Sequence, residues 1–491
     1  MRTTLRTRTT RTTRTTRTTR TTRTTRRALT TLTTPGTRSP RGSRRAAVAL
    51  AAVCALALAG CGDGDGGGGG PEPGKDTGTG AASVRLPKLD GQKVQVVAVW
   101  TGPEQQAFTK VLDEFEKRTG AEVAYVPTQD AMLNYIGTKI AGGAPPDVAM
   151  LQQVGALKQA VERKWARPVG PEARAQLAKN YSKGWQDLGA VDGTPYGVYF
   201  KAANKSLIWY NTAVFENAGV SEPKTWKELL STAETVSASG VTPFSIGGAD
   251  GWTLTDWFEN VYLSQAGPEK YDRLARHEIP WTDPSVARAL TTLADVFGKP
   301  NLIAGGAAGA LQTEFPASVT QTFTGGDAPK AGMVFEGDFV SINIAQTEAK
   351  VGTDAKAFPF PAVGAEAPVV TGGDVAVALT DKPAAQALLT FLASPDAARI
   401  WAGEGGFLSP NKAMDPAAYP NDVQREIGKA LVAAGDDFRF DMSDQMPQSF
   451  GGTPGKGEWK ALQDFLKNPK DVAGTQARLE ADAAKAYQGK S

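Results

Sequence analysis

The sequence predicts an α/β fold of two lobes, and two observations support this. About 400 residues follow the first 91, which is more than one hydrophobic core usually serves. Strand-like and helix-like segments alternate over residues 94–151, as they do in an α/β sheet.

The segment 94–151 predicts a doubly wound unit. Its predicted elements are a strand over 94–100, a helix ending at Gly120, a strand over 122–126, a helix over 131–141 and a strand over 147–151. The first strand is rich in β-branched residues, and the helix after it carries apolar residues at helical spacing. In such sheets ligands bind beyond the carboxyl ends of the strands. We therefore expect Trp100 and the pair Gln152 and Gln153 at the mouth of a cleft.

The first 45 residues are built from Arg-Thr-Thr triplets and contain almost no apolar residue. Such a tract is expected to be disordered. We interpret it as a leader outside the mature protein, and a basic nucleic-acid-binding arm is the alternative. Fourteen arginines precede Cys61, so 40 basic and 51 acidic residues remain after it, a net charge of about −11. This acidity argues against a nucleic-acid partner.

A lipoprotein signal peptide is predicted for the end of the leader, so that residues 1–60 are leader and signal. Arg44 and Arg45 precede an apolar run over 46–60, which is too short to span a membrane. The run ends in Leu-Ala-Gly-Cys, which resembles the bacterial lipobox and implies a lipid on Cys61. The two arginines leave twin-arginine export open beside the general route. Residues 61–91, which begin with a glycine run, are predicted to be a flexible tether.

Several motifs in the later sequence resemble family 1 extracellular solute-binding proteins, the binding components of ABC sugar importers. They are the turn AGGAPPDV over 141–148, GTPYGV over 193–198, WYN at 209–211, Phe215, AG at 218–219, PKTWKEL over 223–229, AGM at 331–333, Gly337, the segment 388–395 and Trp401. Some local segments resemble the α-glucoside-binding branch, namely those over 255–259, 267–272, 336–340 and 441–444.

The resemblance implies a two-lobed periplasmic-binding-protein-like fold of type II, with a ligand cleft between lobes joined by crossing hinge strands. The first lobe is predicted at 92–197 plus 362–405, the second at 200–355 plus 408–491, and the crossings at 196–200 and 358–361. The implied protein is a monomer on the extracellular face of the membrane. It would capture a sugar by hinge closure and deliver it to the permease subunits, without a cofactor or a metal.

Aromatic rings and hydrogen-bonding side chains are the groups that a sugar site needs, because sugars expose apolar C–H faces and hydroxyl rims. The tryptophans at strand ends or in loops are the candidate platforms: Trp100, Trp252, Trp257 and Trp281. The tryptophans in helical or framework contexts are expected to pack in the core or on the surface: Trp165, Trp185, Trp226, Trp401 and Trp459. Trp209 borders the Tyr-Asn motif and is expected to be structural.

Polar candidates complete the predicted site. Glu336 and Asp338 are two residues apart and would face the same way in extended chain; two surface acids in a turn are the alternative. Gly373 and Asp374 are expected where a strand passes into a loop, with close backbone approach at the glycine and hydroxyl binding at the carboxylate. A tight turn is the other interpretation there. The remaining polar candidates are Gln152, Lys201, Asn204 and Asp256.

Two other functions are open on the sequence. A secreted glycoside hydrolase would use Glu336 and Asp338 as acid and base, but such carboxylates usually come from different segments. His277 is the only histidine, so it is the only possible base of a serine triad, and its polar neighbours suggest an exposed position. A sensory lipoprotein that presents its ligand to a receptor would have the same fold and cleft.

Overall fold

A computed structural model describes residues 83–128, 132–436 and 438–488. The predictions for the leader, for Cys61 and for the tether up to residue 82 lie outside these ranges. Within them, no helix is both long and apolar enough to cross a membrane.

A six-stranded mixed sheet forms first along the chain. Its strands are β1 (Lys93–Ala98), β2 (Glu122–Pro127), β3 (Val148–Leu151), β6 (Gly197–Asn204), β11 (Val370–Ala378) and β12 (Arg439–Phe440). β1 pairs in parallel with β2 and β3, and β11 pairs antiparallel with β3. One edge of β11 pairs with β6, so β3 and β12 share its other edge. The predicted succession of elements over 94–151 is confirmed, and its strands and helices end within two residues of the expected positions.

A four-stranded mixed sheet is the second sheet of the protein, in the order β10, β7, β9, β8. Its strands are β7 (Leu207–Asn211), β8 (Phe244–Ser245), β9 (Met333–Phe335) and β10 (Ala355–Pro359). β7 lies antiparallel to both β9 and β10, and β8 is parallel to β9. A two-stranded hairpin, β4 (Ala190–Val191) with β5 (Thr194–Pro195), precedes β6. The α/β prediction is therefore confirmed.

Helices cover the faces of both sheets. Those of the first half are α1 (Gly102–Thr119), α2 (Met132–Ala141), α3 (Val154–Glu162), α4 (Pro171–Asn180), α5 (Lys183–Leu188), α6 (Thr212–Ala218), α7 (Trp226–Ala238), α8 (Trp252–Ala275), α9 (Pro284–Phe297) and α10 (Gly306–Ala310). Those of the second half are α11 (Phe315–Phe323), α12 (Val340–Ile344), α13 (Pro383–Leu392), α14 (Pro395–Ala402), α15 (Asp422–Ala433), α16 (Met442–Gln445), α17 (Gln448–Gly451), α18 (Gly457–Lys467) and α19 (Val472–Gln488).

The helix α1 shows how the local sequence builds these elements. Phe108, Val111, Leu112 and Phe115 are buried on one face against the first sheet, as the helical spacing of apolar residues requires. Gly120 ends the helix at φ 79° and donates its N–H to the Glu116 carbonyl, a left-handed cap that glycine adopts without steric cost. The turn then leads directly into β2.

The chain passes from the first sheet to the second at Lys205 and Ser206, which are the only residues between β6 and β7. The predicted crossing at 196–200 is therefore too early, because β6 continues in the first sheet to Asn204. The Lys205 N–H donates to the Val370 carbonyl, and the Phe360 N–H donates to the Ser206 carbonyl. The return from β10 to β11 thus lies beside the outward passage, close to the predicted crossing at 358–361.

Buried apolar side chains divide into separate core clusters that follow the two sheets. The first cluster includes Leu408, Tyr419 and Leu431, although the prediction assigned residues 408–491 to the second lobe. The region beyond Met442 packs in the second cluster. The lobe boundaries stay a prediction, and this packing favours assigning residues 408–440 to the first lobe.

Candidate functional site

A cavity of about 240 Å³ lies at the carboxyl ends of β1 and β3, the edge where a doubly wound sheet binds its ligands. Strands of the first sheet and helices on the side of the second sheet contribute to its wall. The residues that line it are Val99, Trp100, Thr101, Glu104, Gln152, Gln153, Lys201, Ala203, Lys205, Trp252, Phe315, Phe339, Gly373, Asp374, Ser443, Asp444, Gln448, Gly452 and Trp459.

Trp100 forms the aromatic wall on the side of the first sheet. Its ring packs edge-on against Phe108 and Trp401, with centroids 4.9 and 4.7 Å away. The Tyr125 hydroxyl donates to the Trp100 carbonyl at 2.6 Å. The ring is 3% exposed, so its neighbours hold it rigidly where the end of β1 meets the cavity.

A second aromatic wall comes from helix ends on the side of the second sheet. Trp252 opens α8, and its ring lies 5.2 Å from Phe315 and 6.1 Å from Phe339. Gly251 precedes the helix at φ 85°, and a Cβ there would lie 2.9 Å from the Trp459 Cβ. A glycine is therefore required at this position for Trp252 and Trp459 to occupy the same wall.

Lys201 is a buried cation between the two aromatic walls. Its Nζ lies 2.5 Å from Glu104 Oε1 and 5.5 Å from the Trp100 ring centroid. Burial lowers the pKa of Lys201, but the carboxylates of Glu104 and Asp374 outweigh burial and raise the pKa overall. For Asp374, burial raises the pKa to about 7 despite the nearby Lys201. The wall thus presents a fixed cation beside a carboxyl group that titrates near neutrality.

A β-bulge places Asp374 in the cavity wall. The pairing between β11 and β6 shifts register between Asp374 and Val375, and such bulges redirect a side chain within a strand. Gly373 and Asp374 were expected where a strand gives way to a loop, but they lie inside β11. A Cβ at Gly373 would lie 2.6 Å from the Lys201 carbonyl oxygen, so this glycine permits close approach of the two strands.

Lys205 reaches the cavity from the passage between the sheets. Its Nζ lies 2.5 Å from Asp441 Oδ2, 3.3 Å from Asp256 Oδ1 and 3.9 Å from Asp444 Oδ2. Burial lowers the pKa of Lys205, but these three carboxylates raise it well above its usual value. Lys205 is therefore a permanent cation in the cavity wall.

Half of the twelve predicted binding residues line the cavity, namely Trp100, Gln152, Lys201, Trp252, Gly373 and Asp374. Gln153, expected at the cleft mouth, lines it as well. Contact between these side chains and a ligand remains a prediction.

Two of the four proposed tryptophan platforms are misplaced. Trp257 and Trp281 are at most 1% exposed and belong to the second core cluster. Trp257 lies on α8 one and a half turns beyond Trp252, so it faces the sheet instead of the cavity. Trp281 packs against Phe258 and Phe450. Trp209 is buried and donates its indole N–H to the Gly337 carbonyl, which agrees with a structural role.

Of the remaining polar candidates, Asp256, Glu336 and Asp338 are buried behind the cavity wall, and Asn204 is partly buried. Asn204 caps the end of β6, accepting from the Ser206 N–H, and its own N–H donates to Asp338 Oδ1. Glu336 and Asp338 do not act as a pair, because Asp338 turns towards Asn204 at the start of the α12 region. Glu336 instead lies beside Asp256 and Lys205. Burial raises the pKa of Asp338 and that of Asp256 to about 7 each.

Several wall residues were missed from the sequence. Trp459 was assigned to packing, yet it lines the cavity from the start of α18. Phe315, Phe339 and Asp444 likewise sit at or next to helix starts, a position that periodicity alone does not distinguish from packing. Lys205 follows Lys201 by four residues, and both lie in extended chain. No signal in the sequence indicated that Lys205 lines the cavity as well as Lys201.

His277 does not take part in the cavity. It is only 17% exposed in its side chain and pairs with Glu480 at 3.1 Å, so the expected exposed position is wrong. In the described ranges, no group of three or more histidine, cysteine, aspartate or glutamate side chains is arranged to hold a metal ion.

The sequence profile of bacterial extracellular solute-binding proteins matches residues 100–399. The osmoprotective compounds-binding protein GgtB of Synechocystis is 33% identical over 389 residues, which cover 77% of this chain and 89% of the relative. The alpha-glucosides-binding periplasmic protein AglE of Rhizobium meliloti is 33% identical over 402 residues, 78% of this chain and 86% of the relative.

Solved structures of solute receptors share the fold. The receptor AcbH aligns with a TM-score of 0.70 at 18% identity, covering 81% of this chain and 99% of that chain. The GacH receptor of Streptomyces glaucescens aligns with a TM-score of 0.61 at 16% identity, covering 82% and 98%. These likenesses show the α/β periplasmic-binding-protein fold, here with two mixed sheets. Together with the family match, they show that the chain belongs to the bacterial extracellular solute-binding proteins and is a binding protein, not an enzyme.

Proposed function

We propose that this chain is the sugar-binding protein of an ABC importer and that its ligand is an α-glucoside or a related small oligosaccharide. The cavity carries the proposal. Trp100 on one side and Trp252 with Trp459 on the other offer apolar faces for the C–H surfaces of a sugar. Between them, Gln152, Gln153 and Asp374 offer amide and carboxyl groups for its hydroxyls.

The sequence relatives support a sugar as the ligand. The two that align over most of their length are named for osmoprotective compounds and for alpha-glucosides. A carbohydrate fits both names and also fits a cavity that combines aromatic rings with polar groups. We therefore place sugars first among the solutes to be tested.

Binding would act by closing the two sheets around the ligand. Because the wall draws on strands of the first sheet and on helices on the side of the second sheet, a ligand in contact with both sides binds the closed arrangement more tightly and shifts the population towards it. The permease subunits would then recognise the closed form and receive the sugar.

A lipid on Cys61 would hold the protein at the outer face of the membrane. The support is the apolar run over 46–60 and the Leu-Ala-Gly-Cys sequence that ends it. Replacing Cys61 by serine is expected to release the protein from the membrane fraction into the medium. A wild-type chain that is already released would contradict the anchor without affecting the binding function.

Calorimetry with a truncated chain beginning at Ser83 tests the binding function. This start keeps the hydrogen bond from Ser83 Oγ to Asp396. Maltose, trehalose and sucrose are titrated in turn, and chromatography checks each sugar for turnover. We expect affinity in the micromolar range, about −8 kcal/mol, with the sugar recovered unchanged.

Two outcomes would count against the proposal. If the folded chain binds no sugar of the panel, the α-glucoside assignment is wrong and other solutes have to be tested. If the sugar is consumed, the protein is not a simple binding protein.

A further inference from the structure

Six carboxyl groups and one ammonium group are gathered next to the cavity. We call this set the Lys205 cluster, and it consists of Lys205 with Asp256, Glu259, Glu336, Asp441, Asp444 and Glu458. Five of the acids are buried, and the Asp444 side chain is 14% exposed. Lys205 and Asp444 line the cavity. The cluster is therefore continuous with the wall that would contact a ligand.

One lysine does not neutralise six buried carboxylates, and an unpaired buried charge is strongly unfavourable. Among the three carboxyl groups near Lys205 Nζ, that of Asp441 is closest and that of Asp444 is farthest. Asp441 also accepts from Ser443 Oγ at 2.7 Å and from the Asp444 N–H at 2.9 Å. Burial opposes its ionisation, yet Lys205 and these donors lower the pKa of Asp441 to about 2. Asp441 is the ionised partner of the lysine.

Asp256, Glu336 and Glu458 have too few donors for full ionisation. No protein donor among the described residues reaches either carboxyl oxygen of Glu336 or of Glu458, or Oδ2 of Asp256. Glu336 lies within hydrogen-bond reach of Asp256, and two carboxyl groups bond to each other only when one carries a proton. The geometry therefore requires bound protons in this part of the cluster.

Glu259 differs from these acids. Its carboxyl group accepts from the Met442 and Ser443 N–H groups and from the Tyr271 hydroxyl. These donors favour its carboxylate, while burial and the nearby Asp441 raise its pKa. We assign the retained protons to the donor-poor acids and to Asp444, which Lys205 reaches least closely.

We propose that the Lys205 cluster retains protons at neutral pH and that Asp444 faces the cavity as a neutral acid, which donates a hydrogen bond to the bound ligand. The protonation follows from the cluster alone, and the hydrogen bond to the ligand rests on the proposed function. Among the groups beside Asp444, Lys205, already paired with Asp441, and the Gln153 amide favour its ionised form.

The proposal gives a definite pH dependence. Burial, followed by the charge of Asp441, raises the pKa of Asp444 well above its usual value. Below that pKa the donor is present and affinity is at its maximum. Above it, Asp444 loses its proton and adds a negative charge, so affinity falls as the pH rises, by at most about tenfold per pH unit for one proton.

Infrared difference spectroscopy on the ligand-free full-length chain tests the protonation without any sugar. We expect a protonated-carboxyl C=O band at neutral pH that weakens in Glu336→Gln and again in Asp444→Asn. Asp381→Asn is the control, because the Asp381 side chain is 80% exposed. A wild-type spectrum without this band overturns the proposal, whatever the protein binds.

Calorimetry with trehalose, or with whichever of sucrose and maltose binds more tightly, tests the hydrogen bond. Wild-type affinity should decrease with rising pH, and Asp444→Asn should remove that slope because an amide does not titrate. Asp444→Leu should lower affinity about tenfold at every pH below the transition. Asp374 is the competing source of a pH effect, since its pKa is about 7.

The variants Asp374→Asn and Asp444→Asn distinguish which of the two carboxyl groups causes the pH dependence of affinity. If Asp374→Asn removes the slope and Asp444→Asn does not, the assignment to Asp444 is overturned. If no sugar of the panel produces heat, the proposed function fails, and the infrared band still decides whether the cluster holds its protons.

Discussion

Trp252 and Trp281 show how two tryptophans of similar sequence context can differ in function. Trp252 lines the cavity beside Phe315, whereas Trp281 is fully buried against Phe258 and Phe450. We expect Trp252→Ala to lower sugar affinity about tenfold or more, because it removes an aromatic face from the ligand. The measurement is calorimetric titration of both proteins.

Trp281→Phe is the matched control for this prediction. It should reduce the free energy of unfolding by roughly 1–3 kcal/mol through lost core packing and leave the affinity of the folded protein unchanged. Equal losses of affinity in the two variants would contradict the division between wall and core.

Asp374 makes stability depend on pH. Its pKa is about 7 in the folded protein, mainly because it is buried, against an ordinary value of 3.8. Between these values the folded state binds more protons than the unfolded state, so its contribution to stability is lost as the pH rises from about 4 to about 7. Asp374→Asn removes this contribution. We expect its free energy of unfolding to vary less between pH 5 and pH 7 than that of the wild type.

Urea unfolding at both pH values measures the difference, with Asp381→Asn as the exposed control. Asp256 and Asp338 also have pKa values of about 7, so part of the wild-type slope should remain in the variant. An unchanged slope in Asp374→Asn would show that this carboxyl group is ionised in the folded protein.

The sequence predicted which kinds of side chain form the cavity wall better than it predicted which individual residues do so. Trp100 and Gln152 were predictable because they follow strands whose carboxyl ends face the ligand edge. The sequence predicts Trp281 in the cavity wall and Trp459 in packing, whereas Trp281 lies in the core and Trp459 lines the cavity. The loop or helix context of a residue does not determine whether tertiary packing buries its side chain. Glu336 was placed in the cleft, but the turn at Gly337 separates it from Asp338 and buries it beside Asp256.

At the scale of elements, the pairing of β6 with β11 positions Lys201 and Asp374 together. Gly373 allows this pairing, since a Cβ there would lie 2.6 Å from the Lys201 carbonyl oxygen. Backbone atoms on both strands leave little room for relief. We expect Gly373→Ala to lower the free energy of unfolding by about 1–3 kcal/mol, measured by urea unfolding.

Gly403→Ala is the control at this scale. The nearest atom to its added Cβ is 3.6 Å away, and its φ of −63° suits any residue. Its effect should stay within about 0.5 kcal/mol. A similar loss in both variants would mean that the close approach at Gly373 is not the cause.

The alternation of β1, α1, β2, α2 and β3 was predictable because each element is long enough to show the residue types or the spacing of apolar residues that is typical of a strand or a helix. The interior of β11 was not, since Gly372 and Gly373 resemble a turn in sequence and only the neighbouring strands show that they are paired. The lobe to which residues 408–440 belong is hard to predict for a similar reason. The buried residues of this segment give no sign of which core they join.

At the scale of the whole molecule, Lys205 joins segments that pass between the sheets. It follows β6 directly, and its partner Asp441 follows β12. Lys205→Met leaves Asp441 buried without its cation, so we expect a loss of about 3–5 kcal/mol in the free energy of unfolding. Adding Asp441→Asn should restore part of this loss, because the unpaired charge is then absent.

Urea unfolding of the wild type, both single variants and the double variant measures the coupling between the two side chains. Strictly additive effects would show that the ion pair contributes nothing specific.

The two-sheet architecture itself was predictable from chain length and from the resemblance to a known family. The residues at the passage were not predictable, because a continuous extended run over 197–211 contains no sequence mark of where one sheet ends.

The two-residue passage at Lys205 and Ser206 also has a mechanical consequence. When two bodies rotate about a short connection, each atom moves in proportion to its distance from the axis. The Lys205–Asp441 contact lies at that connection, and the Trp252 ring centroid lies only 5.5 Å from Lys205 Nζ, so both are expected to change little. The charges near the pivot and the ring beside them would thus remain in place through every cycle of capture and release, and the parts of the cleft farthest from the connection would move most.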